Sequence, residues 1–214
     1  MVQKQYESLT MSATMSSVCW TRNDNLRNMP YRCLMHIQSA IKEFDEVIVV
    51  DWCSSGKTFI QECYDYLPKT GKIKSIQVTE DLIKSVIPNP LKFSDLSPTI
   101  TNVGIRRATS DFILATTADV IANRPDLSVL NDTTMYVNGR RGVPEKDYCK
   151  FDTVDDLREY LFTNYEKYPN SPDSVSVDGK QYGTDMMYGH WLYVLEILCW
   201  LTKIFGIPLE GMNR

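Results

Sequence analysis

Three charged features of this chain lie where the sequence predicts strands to end or begin. Arg106 and Arg107 precede a short apolar run that leads to Asp119, and Asp51 closes an earlier run rich in β-branched residues. Guanidinium groups donate to phosphate oxygens in a planar, bidentate way. Carboxylates at the carboxyl ends of parallel strands line the ligand crevice of open α/β sheets. The pattern therefore predicts a site for a phosphorylated ligand, with Asp119 as a candidate ligand of a divalent metal.

Asp51 has two interpretations. It could cap a helix or close a turn, as aspartates in βα loops often do, or it could accept hydrogen bonds from a nucleotide base or ribose. Thr21 and Arg22 end the preceding predicted strand, so two neighbouring strand ends would carry polar side chains. The nearby run 54–58 has the ending of a phosphate-binding P-loop, but Asp51 stands where that motif needs glycine. We therefore do not predict a P-loop.

Two further residues are candidates for chemistry in the last fifth of the chain. Asp185 heads a predicted helix, where capping is the default role and a general base the functional alternative. His190 follows five residues later and could be a buried imidazole, a supplementary metal ligand or a contact to a diphosphate. His36, inside the first predicted helix, is interpreted as structural. Asp119 could also be a simple helix cap, although its approach from a buried strand favours metal binding.

Strands and helices alternate over the first half of the chain. Hydrophobic periodicity predicts strands at 16–21, 46–51, 73–78 and 111–116, and helices at 26–43, 58–66 and 99–109, with a proline-bearing loop at 87–98. Such an alternation predicts an α/β protein with a mostly parallel sheet covered by helices, here in a single domain.

The order changes after Asp119. We predict a strand at 133–138, a turn at Gly139, a helix at 152–168 capped by Asp152 or Thr153, and a mobile surface loop at 170–182. A final helix is predicted at about 186–205. Its apolar run is interrupted by charges and too short for a membrane span, which favours a buried helix.

Bulk composition narrows the function classes. The formal net charge is −4, which argues against broad nucleic-acid binding. The six cysteines are scattered without a CxxC pair, and the first ten residues lack the apolar core of a signal peptide. We therefore expect a reducing, cytoplasmic environment, with no transmembrane segment.

Three blocks, in order, resemble the GT-A fold glycosyltransferases of the family 2 type. Residues 18–25 resemble the first strand and nucleotide loop, residues 46–54 resemble the second strand, and residues 102–119 resemble the N-x-G-x-x-x-A helix that leads into the DXD metal motif. The chain departs from the family at that motif, because it reads Thr117-Ala118-Asp119 and lacks the first acid. Within the family, the chain is also similar to small glycosyltransferase domains of large algal viruses that modify their capsid protein.

The resemblance implies a Rossmann-like GT-A domain in which residues 16–121 bind a nucleotide sugar and residues 122–214 bind a glycan or glycoprotein acceptor. Asp51, Thr21 and Arg22 would hold the uridine of a UDP-sugar. Arg106, Arg107 and a Mn²⁺ or Mg²⁺ ion on Asp119, with His190, would neutralise the diphosphate, and Asp185 would be the base of an inverting reaction. Two alternatives stay open: a non-catalytic nucleotide- or sugar-binding module, and a sugar-phosphate nucleotidyltransferase, for which the glycine-free loop after the first strand is poorly suited.

Overall fold

A sheet of four parallel strands forms the centre of the first half. The computed structural model describes residues 12–21, 29–52, 54, 57–86, 93–130, 140–168, 174–177, 180–183 and 191–195. The four strands are β1 Met15–Thr21, β2 Glu46–Trp52, β3 Ile73–Val78 and β4 Phe112–Thr117, in the order β3-β2-β1-β4. All three pairings are parallel. The predicted α/β class is confirmed, and each of the four strands predicted before Asp119 is found to within one residue.

Helices cover both faces of this sheet. They are α1 Met29–Glu43, α2 Phe59–Cys63, α3 Glu80–Val86 and α4 Phe93–Ile105. Alternate residues of a strand point to opposite faces, so Val47 and Val49 pack into the core with α1 and α2, while Val50 packs against Ile100 of α4. Burial on both faces explains why β2 reads as a continuous apolar run.

Gly104 sets the distance between α4 and the sheet. A Cβ atom at this position would lie 2.4 Å from Cγ1 of Val18 and 3.1 Å from Cγ2 of Val50. Any larger residue would therefore push the helix off β1 and β2. The glycine of the N-x-G pattern has a packing role here.

The second half contributes smaller sheets and two helices. Strands β5 Val120–Ala122, β6 Arg140–Pro144 and β9 Trp191–Leu195 form a mixed sheet in the order β5-β9-β6, and β7 Ser174–Val177 pairs with β8 Lys180–Gly183. Helices α5 Glu145–Tyr148 and α6 Val154–Thr163 bury Tyr148, Leu157 and Leu161 in a separate core with Ile121 and Val143. Thr153 caps α6 by accepting from the Asp156 amide.

Several predicted elements differ from the structure. Helix α4 begins at Phe93, inside the predicted loop, because packing of its later turns on the sheet outweighs the one hydrogen bond that Pro98 removes. Residues 174–183 contain a strand pair in place of a loop, and 191–195 are a strand in place of a helix. An apolar run of five residues does not distinguish a buried strand from a helix by periodicity. The predicted strand at 133–138 lies outside the described residues.

Among the helices that the structure describes, none has the length and apolar character needed to cross a membrane.

Candidate functional site

The chain changes direction across the sheet next to β1. After β1 it adds β2 and β3 on one side, and then returns to place β4 on the other side of β1. Ligands of open α/β sheets bind outside the carboxyl ends of the strands at such a switch point. Thr21 ends β1 opposite Asp51 of β2, and Thr117 ends β4 opposite Trp20. We call this end of the sheet the carboxyl edge.

Asp51 is completely buried at the carboxyl edge. Its Oδ2 accepts a hydrogen bond from the backbone N–H of Phe59, the first residue of α2, at 2.8 Å. Its Oδ1 is also buried, and no group among the described residues donates to it. The capping interpretation is therefore correct for one oxygen, and the other oxygen has acceptor capacity left for a ligand.

Helix α2 has a cap besides Asp51. The Thr58 N–H donates to Oε1 of Gln61 at 2.9 Å, and the Gln61 N–H donates to the Thr58 hydroxyl at 3.3 Å. This reciprocal pair is a capping box, which satisfies two N–H groups of a first helical turn. Because Thr58 and Gln61 already cap this turn, capping α2 does not require both oxygens of the Asp51 carboxylate.

Thr21 is buried beside Asp51 at the end of β1. Its side chain lies against the Cys33 thiol of α1. Burial raises the pKa of that thiol well above its ordinary value, with the Thr21 hydroxyl opposing the rise. Cys33 is therefore a neutral thiol at this position and adds no charge to the carboxyl edge.

Asp119 lies two residues beyond the end of β4 and is engaged through both oxygens. Oδ2 pairs with the Arg32 guanidinium of α1 at 2.7 Å, and Oδ1 accepts from the Thr117 hydroxyl at 2.6 Å. The two charged side chains are 4% and 11% exposed. Thr117, which stands where the family has its first acid, thus binds the remaining acid with a neutral hydroxyl.

Arg32 begins a row of polar side chains on one face of α1. The row consists of Arg32, His36, Ser39 and Glu43, and we call it the α1 polar row. One turn after Arg32, Nδ1 of His36 lies 2.5 Å from the carbonyl oxygen of Val120. Burial lowers the pKa of His36 to about 4, so the ring is neutral at pH 7 and donates to that carbonyl. The structural role predicted for His36 agrees with this contact.

The other end of the α1 polar row binds α6 and the chain after β5. Arg158 of α6 forms an ion pair with Glu43 and donates to the Ser39 hydroxyl at 2.5 Å and to Oδ1 of Asn123 at 2.7 Å. Glu43 also accepts from the Arg124 N–H at 3.1 Å. The row therefore holds α1 against residues 119–124 along its whole length.

Sequence reasoning missed Arg32, although a signal was present. Residues 32, 36, 39 and 43 are spaced by four, three and four, which places them on one face of a helix. Four polar residues aligned on one face of a helix whose other positions are mostly apolar indicate buried polar partners. No pattern in the sequence indicates that Asp119, 87 positions later, is one of those partners.

Tyr148, in the second half of the chain, lies close to the Arg32–Asp119 pair. Its ring is completely buried and stacks on Tyr31 at a centroid distance of 6.1 Å. Burial raises the pKa of the Tyr148 phenol, the Arg32 guanidinium opposes the rise, and Asp119 adds to it. The phenol is therefore neutral, and its hydroxyl has no partner among the described residues.

Arg106 and Arg107 lie at the opposite edge of the sheet. They follow the end of α4 and precede β4. In the same segment, the Thr109 N–H donates to Glu46 at the start of β2, at 3.1 Å. Both arginines are exposed, and Arg107 donates to the carbonyl of Val103 at 2.8 Å. The structure does not bring them together with Asp51 or Asp119, and we assign them no part in the site.

The described residues do not fit the predicted Mn²⁺ or Mg²⁺ ion. No three His, Cys, Asp or Glu side chains among them converge as a metal site. Asp119 already binds a cation through Oδ2, and hard divalent ions need several oxygen ligands free of competing positive charge. We therefore assign a metal ion no part in the reaction proposed below. Arg22, Asp185 and His190 lie outside the described residues, and their roles stay predictions.

Comparisons with known proteins add little to this geometry. No protein-family model matches the chain, and no curated protein matches it significantly. A crystal structure of S. aureus TarS is 24% identical over 50% of this chain and 16% of that one, with a TM-score of 0.30. A second, of TarS 1–349, is 18% identical over 61% and 42% of the two chains, with a TM-score of 0.31. The chain thus spans less than half of either TarS chain, and scores this low support no conclusion on function.

Proposed function

We propose that this chain is a glycosyltransferase that takes its sugar from a UDP-sugar, with the uridine bound at the carboxyl edge. The observation that carries the proposal is Asp51, a completely buried carboxylate with one oxygen on the Phe59 amide and the other without a described donor. Its place beside the switch point of the sheet is where nucleotides bind in this class of fold.

An unpaired buried acceptor is costly. Leaving such a group without a donor destabilises a protein by about 1–3 kcal/mol, and more when the group is charged. A ligand that donates an N–H group to Oδ1 of Asp51 would remove this penalty on binding. Uracil presents one such donor, its ring N3–H, and the family resemblance assigns Asp51 to the uracil ring. Thr21, buried beside it, would border the same base.

The proposed reaction breaks the bond between the anomeric carbon of the sugar and a diphosphate oxygen. A bond forms from the anomeric carbon to a hydroxyl oxygen of the acceptor, whose proton passes to a base, and UDP leaves with the electron pair. Asp185 is the predicted base if the reaction inverts, and the acceptor is predicted to be a glycan or glycoprotein, as in the algal-virus domains. A cytoplasmic location likewise stays a prediction.

The test is release of UDP from a panel of UDP-sugars, with and without candidate acceptors, alongside calorimetric binding of UDP. Asp51→Asn should weaken UDP binding by at least about tenfold, the effect of losing about 1.4 kcal/mol. Glu46→Gln is the matched control, because Glu46 is a buried carboxylate at the other end of the same strand. Equal UDP affinity in wild type and Asp51→Asn would overturn the proposal.

One observation favours a second candidate, a non-catalytic nucleotide-binding module. Both oxygens of Asp119 are occupied by Arg32 and Thr117, so this carboxylate is poorly placed to assist departure of a diphosphate. UDP binding that depends on Asp51, with no UDP released from any donor, would support the module over the enzyme.

A further inference from the structure

The Arg32–Asp119 pair has a consequence for how the carboxyl edge binds a charged ligand. Asp119 has the position from which a divalent cation would be held, yet its charge is already balanced by a guanidinium at 2.7 Å. Its second oxygen accepts from Thr117. Arginine keeps its charge at any accessible pH, so the competing cation is permanent.

We propose that the carboxyl edge binds its nucleoside diphosphate without a divalent cation, because Arg32 occupies Asp119 in place of the metal. This inference rests on the proposed function, since it concerns the same nucleotide site. Arg32 acts here through Asp119 and is a positioning residue.

Burial makes the exchange of Arg32 for a metal unfavourable. Both side chains are almost fully withdrawn from solvent, and removing one partner of a buried pair leaves the other charge uncompensated. A metal ion that added itself to the intact pair would lie close to the guanidinium and be repelled by it in a medium that screens poorly.

The α1 polar row fixes Arg32 opposite Asp119. His36, one helical turn from Arg32, binds the carbonyl of Val120, the residue that follows Asp119. Glu43, at the end of α1, binds both Arg158 and the Arg124 amide. Because α1 is attached to residues 119–124 at three levels, the backbone that carries Arg32 is held opposite Asp119.

The first measurement compares the affinity of the full chain for UDP in excess EDTA and in Mn²⁺, by calorimetry. The second measures binding of Mn²⁺ in the absence of UDP, by the electron paramagnetic resonance signal of the free ion. We expect UDP affinities within about twofold of each other, a difference too small to represent a metal–phosphate contact. We also expect no loss of the free Mn²⁺ signal on adding protein.

Arg32→Met sharpens the test, because it keeps an unbranched apolar stem, removes the guanidinium and releases Asp119. This variant should bind Mn²⁺ and show UDP binding at least about tenfold tighter with the metal than without it. Arg158→Met is the matched control, since it removes another arginine that contacts the α1 polar row, through Glu43, but leaves Asp119 paired. It should remain indifferent to Mn²⁺.

The outcomes separate this inference from the function on which it rests. UDP binding by the wild type that is tenfold or more tighter in Mn²⁺ would overturn the inference and leave the proposed function standing. Absence of UDP binding in both conditions would overturn the proposed function and the inference with it. Because the wild type alone decides between these results, the test holds even if Arg32→Met does not fold.

Discussion

The two ends of the parallel sheet treat their carboxylates differently. At the amino edge, where the strands begin, Oδ2 of Asp111 accepts from both the N–H and the hydroxyl of Thr14, and Oδ2 of Asp45 accepts from the Met15 N–H at 2.8 Å. At the carboxyl edge, Asp51 has a buried oxygen without a described donor. The acids of the amino edge are thus bound by protein donors, whereas Asp51 at the carboxyl edge has a buried oxygen with capacity left for a ligand.

The seven residues of β2 contain one acid of each kind, a fully bound acid at the start and a partly bound acid near the end. Glu46, at its start, accepts from the Ser16 hydroxyl at 2.7 Å and from the N–H and hydroxyl of Thr109, and it pairs with Lys74. Asp51, near its end, has one described donor, Phe59. Both carboxylates are buried. Burial alone therefore does not separate these two acids, whereas the number of donors found for each among the described residues does.

The largest expected effect comes from a change between the two edges, where α4 packs on β1 and β2. Gly104→Ala places a methyl group 2.4 Å from Val18 and should lower the free energy of unfolding by about 2–3 kcal/mol, because overpacking forces the helix to shift. Chemical denaturation measures this. Gly71→Ala is the control: its methyl would meet nothing within 4 Å, but its φ of 72° disfavours alanine, so a loss of about 1–2 kcal/mol is expected. A loss of less than about 1 kcal/mol in Gly104→Ala would contradict the packing role of Gly104.

Glu46→Gln should damage the amino edge without affecting the ligand site. The neutral amide cannot pair with Lys74 and turns a donor towards groups that donate, so we expect a loss of about 2 kcal/mol in unfolding free energy. Asp51→Asn keeps an oxygen for the Phe59 amide and should change stability by less than about 1 kcal/mol. A larger loss in Asp51→Asn than in Glu46→Gln would make Asp51 the structural acid and reverse the comparison.

Thr117→Val tests the smaller polar contact at the carboxyl edge. It removes the hydroxyl that donates to Oδ1 of Asp119 and suits a strand position, so unfolding free energy should fall by about 1 kcal/mol. Arg32 would still pair with Asp119. A Thr117→Ser variant, which retains the hydroxyl, should recover most of the loss, and failure to recover it would assign the effect to packing.

Acid should weaken the amino edge first. Burial tends to raise the pKa of Glu46, but Lys74, Ser16 and Thr109 lower it more, and Thr14 lowers the pKa of Asp111. Groups with a lowered folded-state pKa stabilise the fold above their ordinary values, here 4.5 and 3.8, and lose that contribution as pH falls through the folded values. Urea unfolding from pH 7 to 3 should show stability decreasing below about pH 4.5. Glu46→Gln should flatten this decrease, and an unchanged slope would contradict the assignment.

The sequence predicted the central sheet well because β1 and β2, the two strands at its centre, are buried on both faces. A continuous apolar run such as 46–51 is typical of a strand buried on both faces. Because the strands are parallel, Thr21, Asp51 and Asp119 come to a common edge of the sheet. The short apolar segment at 191–195 is compatible with either a helix or a strand. It is a strand because it pairs with β5 and β6.

The composition of the site was harder to predict. Arg106 and Arg107 are close to Asp119 along the chain, but the six residues of β4 carry the chain about 20 Å across the sheet between them. Arg32 is far from Asp119 in sequence and in contact with it in space. Proximity in sequence is misleading across a strand, and the partner of a buried charge depends on which face of a helix meets which loop.

The most direct measurement of the central claim compares UDP with N3-methyl-UDP, which lacks the ring donor, in wild type and Asp51→Asn. If Oδ1 of Asp51 accepts the N3–H, the wild type should bind UDP at least about tenfold more tightly than the methylated nucleotide, and Asp51→Asn should bind the two nearly equally. Equal affinities in the wild type, or the same preference in both proteins, would contradict the claim that the carboxyl edge reserves this carboxylate for a base.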